Sequence, residues 1–197
     1  MPPLKCGTEL FPPNLFELPG SQFPWWVAHT RSRQDKALAR HLLGLAVPYY
    51  LPQREKRYRR AGRTFVSYLP LFPGYVFFRG MESERHSALR SNLLVRTLAV
   101  PEQDLLTREL SQLRRLQESG ASLTPCVQFS PGDSVRVVEG PFKGYVGVVL
   151  RDAGRLRLVV SVSMLRSSVA VEFEREVLAL TPSQARGDSR SAVASGW

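Results

Sequence analysis

Residues Leu71–Arg79 read LFPGYVFFR, a Pro-Gly pair inside a run of large apolar and aromatic side chains. Phe72-Pro73-Gly74-Tyr75 suits a type II turn, because proline presets φ at the second position and glycine accepts the positive φ of the third. Such a turn brings its first and fourth residues within about 7 Å, so Phe72 and Tyr75 become neighbours. In the strand that follows, period two puts Tyr75 and Phe77 on one face and Val76 and Phe78 on the other. An antiparallel sheet normally keeps one face wet, yet both faces here would be apolar. Either the second face is an outward aromatic patch of the kind found at interaction sites, or the chain's own N-terminal extension or leucine-rich helix covers it.

Working outward from the bend, WWVAH at Trp25–His29 reads as a short aromatic strand. Arg33–Leu43 has Ala37, Leu38, Leu42 and Leu43 set against Arg33, Lys36 and Arg40, a helix pattern that ends near Gly44. Val47–Gln53, with Pro48 and Pro52, suits an edge strand. The stretch QREKRYRRAGRTF at 53–65 contains Gly62 and reads as a hairpin tip. Val66–Arg79 is strand-like around the bend, Ser83–Arg90 a short helix and Leu93–Val100 a strand. Strand, helix, strand, strand, helix, strand is the split βαββαβ order, an α+β domain with two helices on one face of an antiparallel sheet.

This first domain spans 25–118 and includes a helix over Glu102–Glu118, whose Leu105, Leu106, Leu110, Leu113 and Leu116 can pack against the rest. Residues 119–128 read as a linker. From Phe129 to Leu180, β-branched residues alternate with polar ones between Gly-rich turns, as in a small antiparallel barrel. The ends, 1–24 and 181–197, read as an irregular proline-rich extension and a disordered Ser/Ala/Gly/Arg-rich tail.

The 197 residues carry 27 Lys+Arg against 17 Asp+Glu, a net charge of +10 that favours a polyanionic partner. Charge concentrates at Arg54, Lys56, Arg57, Arg59, Arg60 and Arg63, with Tyr58 among them and only Glu55 opposing. Such a cluster suits phosphate contact without base reading, and Tyr58 can stack on an unpaired base. Arg31, Arg33, Lys36 and Arg40 can extend that surface. No apolar run reaches the roughly 20 residues of a membrane helix, and the start lacks a signal-peptide pattern. Cys6 and Cys126 form neither a disulfide framework nor zinc spacing, which points to a reducing, cytoplasmic setting. There is no HExxH, GxSxG or phosphate-cradling loop, and His29, His41 and His86 are scattered, so neither catalytic residues nor a metal or cofactor is expected.

With these features in place, WWVAHT and PLFPGYVFFR resemble the N-terminal (NGN) domain of the NusG family of transcription elongation factors. GDSVRVVEGPFKGYVGVV and RLVVSVSMLRSSVAVEF resemble its KOW domain, so the likeness covers residues 25–180. The resemblance implies a βαββαβ domain tethered to a five-stranded SH3-like barrel. It implies that an aromatic surface formed by Phe72, Tyr75 and Phe77, with Trp26 and His29 alongside, grips the clamp helices of RNA polymerase's largest catalytic subunit. Bridging the DNA channel would hold the clamp closed and suppress pausing. Arg90 would lie near the non-template DNA strand and contact its backbone.

The loop Met164-Leu165-Arg166 stands where the family binds the termination factor Rho or a small-subunit ribosomal protein. An aromatic followed by glycine is usual there; Leu165 and Arg166 disfavour Rho and leave ribosome coupling open. The resemblance thus implies an elongation or antitermination factor, here a specialised paralogue of the RfaH type serving particular operons. The housekeeping NusG role and a ribosome- or RNA-binding KOW protein are the alternatives. RfaH can refold its barrel into a helical hairpin, whereas Val159, Val162, Val169 and Val171 favour a barrel at rest.

Overall fold

The computed structural model describes residues 9–20, 22–120, 123–126, 134–137, 146–152, 155–165, 167–173 and 178–180. In chain order the first part contains β1 (Leu10–Phe11), β2 (Trp25–Thr30), α1 (Asp35–Gly44), β3 (Tyr49–Tyr50), β4 (Gln53–Arg60) and β5 (Arg63–Pro70). It continues with β6 (Tyr75–Arg79), α2 (Glu82–Arg90), β7 (Leu94–Ala99) and α3 (Gln103–Glu118). The second part contains β8 (Leu123–Cys126), β9 (Ser134–Val137), β10 (Val146–Asp152), β11 (Arg155–Val162), β12 (Ser167–Phe173) and β13 (Leu178–Leu180).

The first domain is an antiparallel sheet in the order β1-β3-β6-β2-β7. With β1 set aside, this is the split βαββαβ fold, its central β2 flanked by β6 and β7. The alternation read from LFPGYVFFR decides what each face buries. Val76 and Phe78 join Ala28, Leu38, Leu42, Tyr49 and Ala88 beneath α1 and α2. Phe77 joins Trp25, Val27 and Tyr50 on the opposite face.

That second face is covered by α3. Its Leu106, Leu110, Leu113 and Leu116 are 0–2% exposed, a stripe at helical spacing in which each side chain contributes about 1.5–3 kcal/mol by leaving water. Hydrogen bonds fix its position on the sheet. The Gln103 amide accepts from the Trp25 backbone N–H (2.6 Å) and donates to the Trp25 and Val100 carbonyls (3.1 and 3.0 Å). The Trp25 indole N–H donates to Thr107 Oγ1 at 2.9 Å.

The N-terminal extension, irregular in sequence, is docked. Leu10 pairs with Tyr50 and Phe11 with Tyr49, adding β1 to the sheet edge. Leu15 is fully buried, and the Phe16 ring meets Trp25 and Tyr50 at centroid distances of 6.1 and 5.6 Å. Arg79, 2% exposed, holds this segment. It donates to the carbonyls of Phe23 (2.7 Å) and Leu15 (2.9 Å), and its guanidinium lies 5.1 Å from the Trp25 ring centroid. Burial lowers the Arg79 pKa, and the two carbonyls and the ring face supply compensating electrostatics.

Glu9 ties the extension to the end of α3 by accepting from Arg114 and, at 3.4 Å, from Gln117. Desolvation raises the Glu9 pKa, and Arg114 opposes that rise. A carboxyl with a raised folded-state pKa gives most stability below its unfolded pKa and loses it as pH climbs toward the folded value. Arg114→Met removes the opposing charge. We expect a destabilisation that is small near pH 4 and grows to about 1–2 kcal/mol at pH 7, measured by denaturant titration at both pH values. A loss of equal size at the two would contradict this.

The second part forms a six-stranded antiparallel sheet in the order β13-β9-β10-β11-β12-β8. β9 to β13 are the five strands expected of the barrel. Leu123–Cys126, read from the sequence as linker, instead form β8, which pairs with β12. The 181–197 tail lies outside the described residues.

Candidate functional site

The bend has the geometry its residues dictate. Gly74 has φ +87°, and the Tyr75 N–H donates to the Phe72 carbonyl at 3.1 Å, closing a type II turn. Asp35, in the first turn of α1 and 7% exposed, anchors it. One carboxylate oxygen accepts from the Gly74 N–H (3.1 Å) and from the Thr30 hydroxyl (2.7 Å), while the Thr30 N–H donates to the Gly74 carbonyl (2.8 Å).

Around this bend the five aromatic and imidazole positions expected to form one outward pocket divide into three environments. Phe77 is 0% and Phe72 4% exposed, packed edge to face at 6.1 Å in the cluster that contains the α3 leucines. They are floor, not opening; the leucine helix supplies the cover. Trp26 lies on the helix-bearing face instead. Its indole N–H donates to the Gly80 carbonyl at 3.0 Å, and Arg85, itself paired with Glu82, stands 5.1 Å from its ring centroid. Only Tyr75 and His29 remain half-exposed together. They are register partners on β6 and β2, and their rings stack at 5.2 Å and 22°. Of the five positions, the open ones on this face are therefore one aromatic–imidazole pair at the rim of the buried cluster.

The basic stretch, expected as a hairpin tip, is itself most of an ordered two-stranded ribbon. β4 and β5 pair over eight positions, from Gln53↔Pro70 to Arg60↔Arg63. Ala61 (φ +49°) and Gly62 (φ +75°) make the tip, the two successive positive φ values of a tight hairpin turn. Lys56, Arg57, Arg59, Arg60 and Arg63 are exposed and Arg54 is half-buried. Glu55 pairs with Arg57 and raises the pKa of that guanidinium. The base is fixed by the Leu71 N–H on the Pro52 carbonyl (2.8 Å) and the Gln117 amide on the Gln53 carbonyl (2.6 Å).

Lys36, expected among the nucleic-acid contacts, donates instead to the Tyr68 carbonyl and clamps α1 to the ribbon base. Desolvation first, and Arg40 second, lower its pKa. Arg31 and Arg90 are exposed, after β2 and at the end of α2. Met164 and Leu165, expected in a partner-binding loop, are partly buried against the first-domain cluster that also holds Val162. Met164 lines a cavity of about 180 Å³ with Val100, Leu105 and Glu109. Arg166 lies outside the described residues.

Sequence reasoning missed Asp35, whose role depends on a contact 39 residues away, and Phe65, which the hairpin register sets opposite Tyr58. The two-residue spacing around Ala61-Gly62 was the signal that could have found Phe65. Among the described residues there is no helix long and apolar enough to cross a membrane and no group of three potential metal ligands.

A family model described as "Transcription termination factor nusG" matches residues 23–107, and a KOW motif model matches residues 131–151. The transcription termination/antitermination protein NusG of Pasteurella multocida is 35% identical over 131 residues, covering 63% of this chain and 72% of that protein. Its counterpart in Buchnera aphidicola is 32% identical over 135 residues, with the same two coverages of 63% and 72%. The Pseudomonas aeruginosa protein of the same name is 29% identical over 166 residues, covering 76% of this chain and 94% of that one.

Proposed function

The chain belongs to the NusG family, and from that premise we propose that it binds RNA polymerase through its first domain and promotes processive elongation. The observation that carries the docking site is the half-exposed Tyr75–His29 stack. A stacked ring pair whose chain neighbours Gly74 and Thr30 are held by Asp35, and whose Tyr75 packs on the cluster of buried Phe72 and Phe77, has less conformational freedom left to lose on binding, which suits an anchor. Its occupant is the pair of clamp helices in the polymerase's largest catalytic subunit. The role is that of a specialised paralogue: Leu165 and Arg166 replace the aromatic–glycine pair usual in the family's partner loop.

The ribbon supplies the second contact, with the nucleic-acid backbone of the elongation complex. Arg59, Arg60 and Arg63 at its tip are exposed, and cations beside phosphates release condensed counterions. Replacing the three with Gln is expected to lower the log–log salt slope of binding by about 2–3, near one unit for each phosphate no longer neutralised. An unchanged slope would remove the ribbon from the interface. The proposal as a whole is tested by affinity capture of the full chain from its native cell, scored for RNA polymerase, Rho and ribosomal subunits. Polymerase is the expected catch; ribosomal subunits without polymerase would overturn the elongation role.

A further inference from the structure

We infer that one face of the β4–β5 ribbon is a stacking platform for an unpaired nucleic-acid strand, DNA or RNA, a refinement that rests on the proposed contact between the ribbon and nucleic acid. Directly opposed residues of an antiparallel pair project from the same side, and successive residues from alternate sides. The register Lys56↔Ser67, Tyr58↔Phe65 and Arg60↔Arg63 therefore defines one face, and Glu55↔Tyr68, Arg57↔Val66 and Arg59↔Thr64 the other. On the first face the Tyr58 and Phe65 rings stack at 5.7 Å and 18°. They remain 44% and 42% exposed. Lys56 stands on one side of the rings, and Arg60 and Arg63 on the other.

The two faces differ in charge as well as in rings. The ribbon's single carboxylate, Glu55, is on the second face, where it engages Arg57. The aromatic face has cations without an acid. A cross-strand aromatic pair by itself stabilises a hairpin by a fraction of a kcal/mol, and that role requires no such sorting of charge. A π-surface flanked by cations matches a polynucleotide whose bases are free, with phosphates on either side of a stacked base. In a duplex the base faces are already occupied by their neighbours, so the rings have only groove edges to meet, and Phe65 has no donor or acceptor with which to read them.

The test uses the full chain and fluorescence anisotropy at low salt. The probes are a single-stranded DNA of about a dozen nucleotides, the RNA of the same sequence, and the corresponding duplex, a length within the site sizes of stacking platforms. Both single strands are expected to bind more tightly than the duplex, and comparison of the two strands tells which sugar is preferred. Tyr58→Ala/Phe65→Ala is expected to weaken single-strand binding about tenfold while changing duplex binding less than about twofold. Tyr58→Leu/Phe65→Leu, which keeps an apolar cross-strand pair, is expected to show the same single-strand loss. A base analogue whose fluorescence is quenched on stacking should be quenched by the natural chain and not by the leucine variant.

Equal or tighter duplex binding, full single-strand affinity in the leucine variant, or equal losses on strand and duplex would each overturn the platform while leaving backbone contact in place. Absence of salt-dependent binding to any of the three probes would overturn both.

Discussion

Phe77→Ala is expected to lower the unfolding free energy by about 3–5 kcal/mol, the range for truncating a buried phenylalanine. The ring is fully buried, edge to face with Phe72, and opposes Val27 and Tyr50 across its two neighbouring strands. The α3 leucines close over the same cluster, so the cavity left behind cannot collapse without moving a helix that Gln103 and Thr107 pin to Trp25. Denaturant titration of the full chain measures the loss. The half-exposed Tyr75 provides the internal contrast: its truncation removes less buried surface and should cost under about 1.5 kcal/mol of stability. A Phe77→Ala variant as stable as the natural chain would mean that α3 does not cover this face and that the aromatic pocket is open.

The second large effect is expected at Asp35. Asp35→Ala leaves the Gly74 N–H and the Thr30 hydroxyl without their acceptor. Orphaning donors at a buried charged acceptor costs about 2–3 kcal/mol. Asp35→Asn keeps one acceptor oxygen and should recover roughly half of that, since a neutral acceptor makes the weaker bond. The loss also reaches the site, because Gly74 leads directly into Tyr75 and has no side chain to brace the turn against His29; even an added Cβ would come no nearer to that ring than 3.8 Å. Asp35→Ala should therefore weaken polymerase binding as well as stability, whereas Arg114→Met, far along α3, should affect stability alone. Equal stability of the Ala and Asn variants would contradict the assigned hydrogen bonds.

Much of the fold was legible in the residues around the bend. Proline and glycine named the turn type, and period two sorted Tyr75 and Phe77 from Val76 and Phe78 correctly. The same period places Trp26 and His29, three apart on one strand, on opposite faces. Grouping them in one patch through family resemblance ran against their own spacing. The leucine stripe of α3 announced a helix needing a partner, but a stripe does not say which surface it will cover. That choice rests on Gln103 and Thr107 meeting Trp25, about 80 residues back. The N-terminal extension was illegible for a different reason: Leu15 and Phe16 dock through a few long-range contacts and the buried Arg79, with no periodicity to register them. The ribbon was half legible. Its charge was plain, but its order as two paired strands, which turns Tyr58 into half of an aromatic pair, required the register.

The proposed docking point for RNA polymerase is the half-exposed Tyr75–His29 stack. The most direct measurement is the affinity of the full-length Tyr75→Ala variant for a purified RNA polymerase elongation complex, alongside its unfolding transition. The predicted result is binding weakened by about 1–3 kcal/mol, the range for an interface anchor, in a variant that remains folded. Unchanged affinity in that folded variant would contradict it.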